Sequence, residues 1–113
     1  MKRTATAAVA LMLTVVAAAD AIESRWALSQ GACSGEAHTR RETPLIVEGL
    51  SVRWFASDCT VVSSYRVGQA SFLQGRCVTE GVVSTIPIML EPRGERLRVG
   101  WNHEPIVEME RCQ

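Results

Sequence analysis

The chain has 113 residues, 47% of them hydrophobic and 5% aromatic, with 12 basic and 12 acidic side chains. That length holds one domain, and the charge balance excludes the basic excess that nucleic acid or an anionic membrane surface demands. Cys33, Cys59, Cys77 and Cys112 make an even cysteine count.

Residues 1–21 predict export. Lys2-Arg3 is a positive start, Ala7 to Ala19 is an apolar run of 13 residues, and Ala19-Asp20-Ala21 is a small-x-small cleavage site. This is the layout of a secretory signal peptide, and its apolar run is too short to cross a bilayer as a helix. Ala17-Ala18-Ala19 offers a second cut. A cut after Ala21 removes Lys2, Arg3 and Asp20 and leaves one domain, residues 22–113, with ten basic and eleven acidic side chains. Lys2 is the sole lysine, so every basic side chain of that domain is arginine. The expected product is periplasmic or secreted, soluble, and without stable membrane insertion.

Short β-branched runs follow, separated by turn residues. Trp26 to Gln30 begins the series. Leu45 to Glu48 is a compact strand closed by Gly49. Val52, Trp54 and Ala56 alternate with Arg53, and Ser57-Asp58 reads as a turn. Cys59, Val61, Ser63, Tyr65 and Val67 share one parity up to Gly68-Gln69. Phe72, Leu73 and Val78 lie in the next run, which ends at Glu80-Gly81. Val82, Ile86, Ile88 and Leu90 form another, and Pro87 within it marks an edge, a bulge or a kink. Pro92-Arg93-Gly94 is a turn. Leu97, Val99 and Trp101 alternate with Arg96, Arg98 and Asn102, and Val107 and Met109 with Glu108 and Glu110. Ser34 to Arg41 reads as an exposed loop.

The pattern is about eight strands with period-2 alternation and no convincing helical stripe. Strands joined by short turns are antiparallel. The predicted fold is all-β: a small antiparallel up-and-down barrel or curled meander, with a sandwich as the alternative. A domain this small gains little from its core, and an exported chain with four cysteines predicts two stapling disulfides. Three pairings are open. Cys33–Cys59 with Cys77–Cys112 is preferred because both close loops of moderate length, each worth about 3 kcal/mol by chain entropy. The cysteines lack the close spacing of a zinc knuckle and the C-x-x-C of a redox site.

The chain opens with Ile22-Glu23-Ser24-Arg25-Trp26-Ala27-Leu28 and closes with Val107-Glu108-Met109-Glu110-Arg111-Cys112. In this it resembles small exported lipocalin-like (calycin-like) barrels, including cysteine-containing periplasmic domains of proteobacteria. The resemblance spans residues 22–113, with Ser24 where the lipocalin G-x-W pattern has glycine. It implies a barrel in which Trp26, on the first strand, packs against Arg111, at the end of the last, as a barrel-closing pair.

Chemistry is sparsely marked. His103 with Glu104, in a hairpin loop, is a candidate acid–base or metal pair, and His38 lies near Glu36 and Glu42. Either is equally a solvated loop residue. No nucleophile elbow, phosphate loop or His-Glu-x-x-His occurs, and no motif calls for a cofactor or a metal. Arg93, Arg96 and Arg98 cluster about one turn as a candidate contact patch. Trp54 and Trp101 lie in strict alternation and read as core, and a ligand cavity would require an interior not filled by Trp54, Tyr65, Phe72 and Trp101. The leading expectation is an exported non-enzymatic binding or inhibitor-type module whose partner is an envelope or extracellular protein. The alternatives are a carrier of a small apolar ligand inside the barrel and an enzyme centred on the His103-Glu104 loop.

Overall fold

The structure, a computed structural model, describes residues 22–34 and 39–113. The expected leader with its expected cleavage sites, and His38, lie outside the described residues. Eight antiparallel strands form a closed barrel in sequential order: β1 (Ser24–Ala27), β2 (Leu45–Glu48), β3 (Ser51–Trp54), β4 (Ser57–Val67), β5 (Ala70–Thr79), β6 (Val82–Arg93), β7 (Arg96–Trp101) and β8 (Val107–Arg111). The barrel closes where β8 pairs with β1, with Trp26 opposite Arg111 and Ala27 opposite Glu110.

Alternation decides what faces inward. Trp26, Leu45, Val47, Val52, Trp54, Ile88, Leu90, Leu97, Val99, Trp101 and Met109 are buried in one core cluster. Each large apolar side chain so buried contributes about 1.5–3 kcal/mol. Trp54 and Trp101 meet edge to face, with ring centroids 5.3 Å apart. The Trp54 indole N–H donates to the carbonyls of Arg40 and Thr43, and that of Trp26 donates to Ile22. These two buried indoles therefore keep partners for their polar atoms.

Several sequence expectations change. The first strand ends at Ala27, and Gln30–Ser34 winds into a 3-10 turn. Residues 40–42, overlapping the end of the expected Ser34–Arg41 loop, form a second such turn. The β3–β4 turn is Phe55-Ala56, and Ser57-Asp58 already belongs to β4. The β6–β7 turn falls at Gly94-Glu95, one step past the Pro92-Arg93-Gly94 reading. Glu80 and Gly81 both take positive φ, 51° and 82°, which suits the twist of a two-residue hairpin turn.

The preferred disulfide pairing is wrong. The bonds are Cys33–Cys112 and Cys59–Cys77. Cys59 and Cys77 face each other directly across β4 and β5, both buried in the interior, so neither can reach Cys33 or Cys112. Loop length misled because strand register, not chain separation, decides which side chains meet. Cys112 is held by a backbone bond from its N–H to the Arg25 carbonyl, which carries it past the end of β8 toward the 3-10 turn that holds Cys33.

Candidate functional site

A single residue redirects half of one strand. Val61 pairs with Gly75 and Ser63 with Gln74, so Val62 is an extra residue, a β-bulge. Before it, Cys59 and Val61 point inward. After it, Ser64 and Arg66 take the inward parity, and Tyr65 and Val67 turn to the outside. The single parity read for Cys59, Val61, Ser63, Tyr65 and Val67 therefore breaks at the bulge. Tyr65 is 63% exposed and stacks on the outer side of Phe72, with centroids 5.2 Å apart and ring planes 12° from parallel.

The outer row runs Tyr65, Phe72, Met89 and Gly100 across four strands. A Cβ on Gly100 would stand 3.3 Å from Met89 Cβ and 3.8 Å from Ile106, so the missing side chain leaves a trough between those two residues. The trough encloses about 560 Å³. Tyr65, Val67, Phe72, Met89, Pro87 and Ile106 give it apolar walls, while Glu91, Arg98, Asn102 and His103 supply a polar rim.

Of the arginines of the expected contact patch, Arg98 lines this trough, and Arg93 and Arg96 lie toward the β6–β7 turn. Arg98 donates to Glu91 at 2.7 Å, and Arg93 approaches the same carboxylate at 3.9 Å. Arg96 lies 3.4 Å from Glu108. The patch is thus a lattice of alternating charge, in which each guanidinium has a carboxylate beside it. Exposed pairs of this kind add little stability but fix where the guanidinium points.

Glu104 does not pair with His103. It accepts from the Arg40 guanidinium, and Arg40 also lies 4.9 Å over the Trp54 ring. Glu104 is thereby committed to fastening the β7–β8 turn to residues 40–42, while His103 stands exposed on the trough rim. Among the described residues no three His, Cys, Asp or Glu side chains are grouped as a metal site would require.

The structure places the Arg111 guanidinium 4.4 Å from the centroid of the Trp26 ring, at the β1–β8 seam. The Gln30 amide donates to Glu110 and to the Arg111 carbonyl, so the 3-10 turn and the Cys33–Cys112 bond strap the same seam.

The interior is largely filled. Gly75 lies where a Cβ would come 3.0 Å from Ile88 and 3.4 Å from Cys59. What remains is a recess of about 340 Å³ at the barrel mouth, lined by Val47, Leu50, Val61, Leu73 and Leu90, with Arg66 at its edge. Among the described residues no helix is long and apolar enough to cross a membrane.

Sequence reasoning missed the outer trough because it missed the bulge. A signal was present. With Gly68-Gln69 as a two-residue turn, an unbulged hairpin would set Cys59 opposite Val78. One inserted residue sets it opposite Cys77, so the bulge and the disulfide imply each other. Comparison with protein-family models, with curated proteins and with solved structures finds no match to this chain.

Proposed function

We propose that this chain is an exported, non-enzymatic binding module of lipocalin-like architecture, and that it holds a protein partner on its outer face rather than in its interior. The observation that carries the reading is the stacked Tyr65–Phe72 pair on the outer wall, beside Met89 and Ile106 and rimmed by Arg98 and His103. Aromatic residues, Met and Arg over a dry centre with a polar rim are the composition of protein contact hot spots. Two disulfides support a periplasmic or extracellular setting. The lipocalin-like assignment is supported by the sequential eight-strand closure and by the Trp26–Arg111 contact.

The test is capture. Residues 22–113, immobilised, should retain an envelope or extracellular protein. The double variant Tyr65→Ser, Phe72→Ser should lose it while keeping nearly the same melting temperature, since both side chains lie outside the core. Equal retention by the two proteins, or none by either, would overturn the reading. The mouth recess favours a second reading, a small apolar ligand at the barrel opening, where Arg66 would meet an anionic head group. Quenching of tryptophan by an apolar carboxylate, lost in Leu73→Glu but kept in Tyr65→Ser, would favour that alternative.

A further inference from the structure

Two strands of this barrel overrun their neighbours, and their free edges are finished differently. Beyond Val61, β4 pairs with β5 alone; before Ile88, β6 also pairs with β5 alone. The β4 overhang carries the Val62 bulge and the inward-parity Arg66. Both are devices that stop another strand from adding to an edge. The β6 overhang ends at Pro87, which offers no N–H and whose carbonyl is taken by Asn102, but its remaining stretch, Val82-Val83-Ser84-Thr85-Ile86, has no proline, bulge or charge. Val82 and Val83 on it are 66% and 53% exposed.

The chain itself opens the slot beside this edge. Asn102 takes a φ of 58°, and its N–H donates to the Pro87 carbonyl at 2.8 Å as the chain leaves the sheet. That bond also fixes direction. Pro87 aims its backbone groups to the β7 side, and by strand alternation Val83 and Thr85 do the same. Their N–H and C=O groups therefore face the space that β7 leaves open.

We propose that this slot receives an extended segment of a partner protein, added antiparallel to β6, with an acidic side chain opposite Thr85. The inference deepens the reading above and rests on it, because it names how the partner is gripped. Charge selects the occupant. Arg76 sits across from Thr85 on β5, exposed on the outer face, and among the described residues it has no ion-pair or hydrogen-bond partner. Thr85 is short enough for the guanidinium to reach past it to a carboxylate in the slot. A second copy of this chain supplies none there, since antiparallel self-pairing brings only Val, Ser, Thr and Ile into the slot. Backbone bonds give affinity in this mode of recognition, and side chains give the choice of partner.

The probe is a capped heptapeptide, Thr-Ile-Thr-Glu-Thr-Val-Thr, and its counterpart with Lys for Glu, titrated into isotopically labelled residues 22–113. Amide shifts should concentrate at residues 82–86. The Glu peptide should bind about threefold more tightly than the Lys peptide, as one exposed ion pair allows. Arg76→Glu should reverse that order. Thr85→Pro, which removes an N–H only on the open side, should abolish the shifts. A Glu peptide N-methylated on the amides that would face β6 should fail on the unaltered protein, so the result does not hang on one variant folding. Strand addition is overturned if neither peptide shifts these residues. Equal binding of the two peptides overturns the acidic selection. A dimer in sedimentation that Thr85→Pro dissolves gives the slot to a second copy and overturns the foreign partner. Capture that still depends on Tyr65 and Phe72 while both peptides fail would strike strand addition alone.

Discussion

Replacing Arg111 by alanine removes a guanidinium that covers the buried Trp26 ring at the barrel seam. The contact is worth about 0.5–2 kcal/mol, depending on how far it is desolvated. For a domain of this size 1 kcal/mol moves the melting temperature by about 4–8 °C, so Arg111→Ala should melt visibly lower in a thermal scan. Arg111→Lys should recover only part of the loss, because the planar fork that stacks on the indole is gone. A lysine variant that melts like the unaltered protein would show that charge alone matters at this position. At this scale the sequence was legible through its resemblance to lipocalin-like barrels, which implied the Trp26–Arg111 pair. Closure makes β1 and β8 neighbours, and their register sets the two residues opposite each other. Glu104 was not legible in the same way, since its partner Arg40 is 64 residues away and only the fold shows that the two ends meet.

Among the elements, β4 has the largest consequence for function. Removing Val62 should leave a regular ladder in the same register, because Val61 opposite Gly75 would then directly precede Ser63 opposite Gln74. Cys59 would still face Cys77, Ser64 and Arg66 would keep the inward parity, and Tyr65 and Val67 would stay outside. The expected outcome is no free thiol in a non-reducing thiol assay and a cooperative melting transition. Two reactive thiols in the deletion variant would mean that the bulge itself is needed to hold Cys59 opposite Cys77. The strands themselves could be read from alternation because each has one buried face. The bulge could not, because Val61-Val62 satisfies either parity and the inversion after it falls on Ser63-Ser64, which suit either face. Pro87, which the sequence allows as an edge, a bulge or a kink, sits where β6 runs beyond β7. It stands in the ladder between β5 and β6, with its backbone turned to the side where β7 departs.

For the whole molecule, the two disulfides close very different loops. Cys33 and Cys112 are 79 residues apart in sequence, while Cys59 and Cys77 are 18 apart. On the chain-entropy account the first is worth about 4.5 kcal/mol and the second about 3 kcal/mol. The paired substitution Cys33→Ser, Cys112→Ser should therefore destabilise more than Cys59→Ser, Cys77→Ser when both are measured by urea denaturation. The reverse order would mean that the buried bond is prized for packing against Gly75 and Ile88 more than for loop closure. Loop length alone does not set the pairing, because closing the barrel brings the first and last strands side by side. That closure also has a kinetic meaning. The long hairpins from β4 to β6 join residues close in sequence and can assemble early. The β1–β8 seam joins residues more than 80 positions apart, and such non-local pairing is slow. Until the seam forms, both flanks of the sheet stay open and sticky. A chain drawn across a membrane from its N-terminus would present β1 first and wait for β8 last, so the interval between the two is when it most needs shielding from its own kind.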